Sequence, residues 1–161
     1  RLIFVTVGSQ LPFDRMTAAV AEWAHARGRT DLFFQTGATK LDLAGFANMP
    51  VLSGTEIRGQ FDRASLVVAH VGTGTIIECL LRGKPIIVVP RSSKLHETRN
   101  DHQFATARRF QHRAGVFVAW DERELPALLD AADALAGGEA IAAHADATLL
   151  AALRGFVSET A

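Results

Sequence analysis

One cysteine in 161 residues, equal numbers of acidic and basic side chains, and no membrane-length apolar run each remove a class of protein from consideration. A lone thiol, Cys79, cannot close an internal disulfide, and a reduced, cytoplasmic setting fits. Seventeen Lys and Arg against seventeen Asp and Glu leave none of the basic surplus that nucleic-acid binders need. No apolar run approaches the roughly 20 residues that cross a bilayer, and no stretch reads as a signal peptide. Internal repeats, linkers and low-complexity tails are also missing, so residues 1–161 read as a single domain long enough to bury a core. The sequence opens on Arg1 in place of Met, and residues are expected to precede it.

What is present is alternation. Residues 2–7 form a continuous apolar run, the pattern of a strand covered on both faces. Residues 13–26 read as a helix ended by Gly28, residues 31–36 as a second strand and residues 50–53 as a short third. A helix over 56–63 leads to a strand over 65–69, then to a glycine-rich turn and a helix reaching about Leu81. Residues 85–90 are the clearest strand, bracketed by Pro85 and Pro90. Thr98 is predicted to cap a helix from Arg99 to about His112, with Asp101 at the capping-box position. A last strand spans 115–118. Asp121 with Glu124 then opens an alanine-rich helix that stops at Gly137-Gly138, and a final helix follows. The predicted class is α/β: a mostly parallel sheet with helices on both faces.

Ligands of such sheets bind beyond the carboxyl ends of the strands. Four polar or glycine-rich segments converge there: Gly8-Ser9-Gln10, Thr36-Gly37, residues 70–75 and residues 91–103. Residues 70–78, His70-Val71-Gly72-Thr73-Gly74-Thr75-Ile76-Ile77-Glu78, carry the sharpest signal. A glycine turn between strand and helix aims unpaired N–H groups at one point on the positive end of the helix dipole, a seat for a phosphate or diphosphate. Glu78, one turn into the helix, is within reach of a ribose hydroxyl. Read blandly, the same glycines only tighten a turn. Two nucleotide signatures fail: Ile77 stands where the dinucleotide fingerprint needs its third glycine, and Gly83-Lys84 is followed by Pro85 rather than Ser or Thr. His96, Glu97, Asp101 and His102 lie close together without zinc-ligand spacing. Cys79 is open to two readings, a buried thiol or a nucleophile activated near a helix N-terminus.

The combination His70-x-Gly72-x-Gly74-Thr75-x-x-Glu78, Gly83-x-Pro85 with an apolar strand to Pro90, and Asp101-His102-Gln103 resembles the donor-binding half of GT-B glycosyltransferases. Within that group it is most similar to the C-terminal domain of glycosyltransferase family 28. The start ending at Gly8 with Pro12-Phe13-Asp14, Gln35-Thr36-Gly37, and Val89-Pro90-Arg91 with Asn100-Asp101-His102-Gln103 narrow the likeness to one-domain catalytic subunits of two-component transferases. These serve dolichol-linked N-acetylglucosamine transfer or bacterial exopolysaccharide assembly. The likeness covers about residues 2–120.

The resemblance implies a Rossmann-like sheet equivalent to the C-terminal half of a GT-B enzyme, and a UDP-sugar donor. It places His70 and the Gly72, Thr73, Gly74 and Thr75 turn on the diphosphate, with Gly8 and Ser9 as a second phosphate contact. Glu78 falls on the ribose, and His102 with Gln103 on the sugar hydroxyls. Fixed amides and a helix dipole, with His70 able to add a positive charge, would stabilise the departing UDP without a metal or other cofactor. The product would be inverted. The acceptor half and its usual base are missing from this pattern, which leaves His96, Glu97 and Asp101 as nearby candidates and implies a membrane-anchored acceptor-binding partner. A lipid-linked sugar would be the acceptor, and the chain would sit at the inner face of the membrane. A sugar-nucleotide epimerase or hydrolase and a non-catalytic nucleotide-binding scaffold are the other readings. The donor sugar stays open among glucuronic acid, galactose, glucose and N-acetylglucosamine, with Arg91, Lys94 and Arg99 available to a uronate carboxylate.

Overall fold

Successive side chains of a strand point to opposite faces of a sheet, and in this chain both faces are apolar. Each therefore needs its own cover of helices. A computed structural model describes residues 1–9 and 11–136. In chain order it contains β1 (Leu2–Thr6), α1 (Asp14–Ala26), β2 (Leu32–Gln35), β3 (Ala47–Met49), α2 (Gly54–Arg63), β4 (Ala64–His70), α3 (Thr73–Leu81), β5 (Ile86–Val89), α4 (His102–Phe110), β6 (Val116–Val118) and α5 (Leu125–Ala136). All strand pairs are parallel, in the order β3-β2-β1-β4-β5-β6. The order reverses between β1 and β4, and a crevice opens beyond the carboxyl ends at such a reversal.

Ile3, Val5, Leu66, Val68, Ile87 and Val89 face one core, where α1 brings Met16, Val20 and Trp23 and α5 brings Leu125 and Leu129. Their neighbours Phe4, Val67, Ala69, Ile86 and Val88 face the other, covered by α2, α3 and α4 through Phe61, Ile76 and Phe110. Phe4 is fully buried and meets Phe61 edge-on at 5.3 Å; burying a side chain of this size is worth about 1.5–3 kcal/mol. The expected sheet with helices on both faces is what forms.

Three boundaries differ from expectation. The third strand is Ala47–Met49, all exposed, pairing with β2 at the sheet edge. Residues 50–53 instead lead into α2, where Ser53 and Glu56 form a reciprocal capping box: Glu56 N–H donates to Ser53 Oγ at 3.1 Å and Ser53 N–H to Glu56 Oε1 at 3.2 Å. The fourth helix starts at His102 rather than Arg99. Asp101 does not cap it; its Oδ1 accepts from Ser93 N–H at 3.0 Å, and Asn100 Oδ1 accepts from His102 N–H at 3.0 Å. At the fifth helix the expected pair holds one residue out of step, with Glu124 accepting from Trp120 N–H and Asp121 from Arg123 N–H, and a 3-10 turn at Glu122–Glu124 precedes α5. The expected stop at Gly137-Gly138, the helix after it and Gln10 lie outside the described residues. Among those described, no helix is long and apolar enough to cross a membrane.

Cys79 is fully buried on the inner face of α3, and burial pushes its thiol up to about 12. That overturns the activated nucleophile: at neutral pH it is a protonated core side chain.

Candidate functional site

The reversal point is built from two backbone turns that close around one imidazole. After β1 the chain turns at Gly8, with φ +85°. After β4, His70 ends the strand and Gly72 caps α3. A Cβ on Gly8 would lie 2.6 Å from His70 Nε2, and one on Gly72 would lie 2.8 Å from His70 Cε1. Real Cβ atoms essentially never approach that closely, so both glycines are there because the Nε2–Cε1 edge of the ring is packed against both turns. Burial first, and then the positive charge of Arg91, push His70 down to about 4. The free protein therefore carries a neutral imidazole at pH 7, able to donate or accept one hydrogen bond at each ring nitrogen according to its tautomer.

Among the described residues no side chain caps the first turn of α3. Its amides at Thr73, Gly74 and Thr75 lack intrahelical acceptors by geometry and stand beside the His70 edge. Two clefts meet at Ser9 and His70. One, of about 530 Å³, runs past Gly8, Gly72, Gly74 and Thr75 to an apolar wall of Val51, Leu52 and Ile57. The other, of about 510 Å³, runs under residues 97–100 and is lined by Arg91, Arg99 and Gln103. An anion at the shared point would meet backbone N–H groups and the helix dipole, with an apolar slot on one side and a polar one on the other.

The loop after β5 is held differently, by side chains bonded to the protein itself. Arg91 is buried and its guanidinium donates to four carbonyls, Val7 and Leu11 at 2.7 Å, Pro12 at 2.9 Å and Glu97 at 3.3 Å, while it lies over the Phe13 ring at 4.8 Å. Glu97 accepts both 2.9 Å bonds of a bidentate pair from Arg15 and a third from Ser92 N–H at 3.0 Å. Arg15 also reaches Glu122 at 2.8 Å and the Pro90 carbonyl. Gln35 forms a similar knot after β2. Its Oε1 accepts from Thr6 Oγ1 and Val7 N–H, and its Nε2 donates to the Gly8 and Pro50 carbonyls.

These placements sort the expected residues. Gly8, Ser9, His70, Gly72, Gly74 and Thr75 come together at the junction of the clefts, with Thr73 in the same helical turn. Gln103 lines the polar cleft, but its Oε1 accepts from Val71 and Arg91 N–H, and its Nε2 faces His70 Nδ1 at 3.4 Å. His102 is exposed and lines neither cleft. Glu78 lies outside both linings and pairs with Arg82. Of the candidate bases, Glu97 borders the polar cleft with its carboxylate held by Arg15. Asp101 is held below its usual range by Ser93. His96 sits exposed at the end of the 3-10 turn Ser93–Leu95, with φ 57°. Arg91 is withdrawn as a uronate ligand because its donors are taken by carbonyls; Arg99 remains at the cleft edge. Among the described residues no three His, Cys, Asp or Glu side chains could hold a metal ion. Sequence reasoning missed the Arg15–Glu97 pair, the Gln35 knot and the Val51-Leu52 wall. Only the wall had a signal, two apolar residues ahead of the Ser53/Glu56 box.

The family model for the glycosyltransferase family 28 C-terminal domain matches residues 2–132. The UDP-N-acetylglucosamine transferase subunit ALG13 of Yarrowia lipolytica is 30% identical over 119 residues, covering 73% of this chain and 53% of the relative, so the chain spans about half that protein's length. The NMR structure of ALG13 aligns with a TM-score of 0.58 at 21% identity, over 83% of this chain and 86% of that one. The crystal structure of the glycotransferase of kitacinnamycin aligns with a TM-score of 0.62 at 22% identity, over 95% of this chain and 38% of that one. Those two structural likenesses speak to the fold, a Rossmann-like sheet of the kind GT-B glycosyltransferases carry. The chain belongs to the family of glycosyltransferase family 28 C-terminal domains.

Proposed function

We propose that the chain is the donor-binding, catalytic subunit of an inverting glycosyltransferase, moving a hexose from a UDP-sugar to a lipid-linked saccharide. The observation that carries this reading is the junction at His70. There the uncapped first turn of α3, the Gly8 turn and a neutral imidazole converge on one point between an apolar and a polar cleft. A diphosphate on that point would place a nucleoside toward Val51, Leu52 and Ile57, and a sugar toward Arg99 and Asn100. Negative charge builds on the diphosphate as the glycosidic bond to UDP breaks. Preoriented amides are strongest where water is excluded, and they need no reorganisation as that charge appears. Glu78 in the ribose role requires it to leave Arg82. Independence from divalent cations belongs to the proposal and is checked by assay in EDTA.

The acceptor hydroxyl needs a general base within hydrogen-bond reach. The Glu97 carboxylate is taken up by Arg15 and Ser92 N–H and that of Asp101 by Ser93 N–H, which favours a base on a membrane-anchored, acceptor-binding partner at the cytoplasmic face. UDP-N-acetylglucosamine is the donor to test first, since the Yarrowia lipolytica relative is named for it. Calorimetry with UDP, followed by transfer assays with UDP-sugars in the presence and absence of the co-expressed partner, tests the reading. Binding of UDP with partner-dependent transfer is expected; absence of UDP binding rejects it.

A further inference from the structure

Gln103, in the first turn of α4, has a side chain fixed at three points. Its Oε1 accepts from Val71 N–H at 3.2 Å and from Arg91 N–H at 3.0 Å, which joins the ends of β4 and β5. Two N–H donors on one atom decide the orientation of the amide, because the flipped form would set an NH₂ group against both of them. The NH₂ group is therefore the end that faces His70 Nδ1, at 3.4 Å. An amide nitrogen donates and does not accept, so Nδ1 must present its lone pair. The single proton of the neutral ring is left on Nε2. That edge of the ring lies against Gly8 and Gly72, and His70 borders both clefts.

The charged groups around the imidazole agree. Arg91, from the end of β5, is the nearby cation and disfavours a second one. Glu97 shares the polar cleft with its carboxylate held by Arg15, and Arg99 stands at the cleft edge. Gly8, Ser9 and the first turn of α3 bring no ionisable side chain to the ring.

We propose that Gln103 is a positioning residue that locks His70 in the Nε2–H tautomer, so that His70 meets the donor diphosphate as a neutral hydrogen-bond donor. The ligand in this statement rests on the proposed function; the tautomer is a property of the free chain. The opposite tautomer would aim a lone pair at a phosphate oxygen, and an imidazolium would bring the pH dependence of a titrating group into donor binding. Gln103 thus acts through His70, where direct reading of sugar hydroxyls was expected of it.

Long-range ¹H–¹⁵N NMR of the ¹⁵N-labelled chain, with His70 assigned through His70→Gln, reads the tautomer directly. The expected spectrum shows Nε2 protonated and Nδ1 bare, unchanged from pH 7.5 to 5.5. A protonated Nδ1 at pH 7 overturns the proposal, whatever any variant does. In Gln103→Glu the second carboxylate oxygen faces Nδ1 and demands a proton there, so Nδ1 becomes protonated. A folded Gln103→Glu protein with an unchanged His70 spectrum also overturns it. If that variant does not fold, the wild-type spectrum decides. Titration with UDP-N-acetylglucosamine, whose diphosphate does not ionise in this range, adds a separate arm. Affinity should stay within about twofold between pH 8 and 6.5. No binding at any pH counts against the proposed function and leaves the tautomer assignment intact.

Discussion

The turn after β4 and the loop after β5 border the same junction and are built on opposite plans. In the first, residues 70–75, the side chains after His70 and Val71 are small, the donors are backbone amides, and among the described residues no side chain caps them. In the second, residues 91–101, the side chains are long and charged, and most of that charge is answered within the protein: Arg91 by carbonyls, Glu97 by Arg15, Asp101 by Ser93. A ligand can use only what the fold has left unanswered. The difference teaches that a group's nearness to a site in sequence says little about its readiness for chemistry. Groups with strong partners become scaffold, and the less conspicuous amides are what the fold leaves open to a ligand.

The largest effect is expected where the scaffold is cut. Arg91→Ala removes the donor from four carbonyls, at about 1 kcal/mol each, and should cost about 4 kcal/mol in urea unfolding. A loss below about 1 kcal/mol would mean the loop does not depend on it. His70 comes next, through pH. Its folded value of about 4 lies below the ordinary 6.5, so between these values the unfolded chain takes up a proton that the native state refuses. Stability is fully present above pH 6.5 and falls as pH drops toward 4, by about 3 kcal/mol at 1.36 kcal/mol per unit. His70→Gln should flatten that part of the stability–pH curve; an unaltered curve would return His70 to an exposed, ordinary histidine.

Gly8→Ala tests the turn by steric means. The new methyl meets His70 at a positive φ, which should cost about 1–3 kcal/mol and at least about tenfold in UDP affinity. A variant that binds UDP normally would separate the Gly8 turn from the seat. The smallest effect is Glu78→Ala. Loss of one ribose contact should weaken UDP by about 1 kcal/mol, roughly fivefold, with the unfolding midpoint unchanged. Unchanged affinity would remove Glu78 from the ribose.

What was legible in the sequence follows the same division. Continuous apolar runs such as residues 86–89 are covered on both faces, and a strand-length run with no polar alternation signals that cover by itself. The glycine turn was legible because its shape lies in the backbone, which a strand-to-helix glycine motif specifies locally. The edge strand Ala47–Met49 was not, since three exposed residues are too short a run to signal a strand and its position comes from pairing with β2. Strand order was not legible either, because parallel register is set by contacts between distant segments. Arg91 and Glu97 looked like site residues because their partners, carbonyls of residues 7–12 and the Arg15 guanidinium, are about 80 residues away, and no spacing within the loop marks such a tie.

The central claim is that a nucleotide diphosphate sits on the α3 turn beside His70. Amide ¹H–¹⁵N mapping with UDP tests it most directly. Saturable shifts are expected at Gly8, Ser9 and Gly72 through Thr75, with smaller shifts along Val51 and Leu52; saturating UDP that leaves those amides unmoved would contradict a diphosphate seat there.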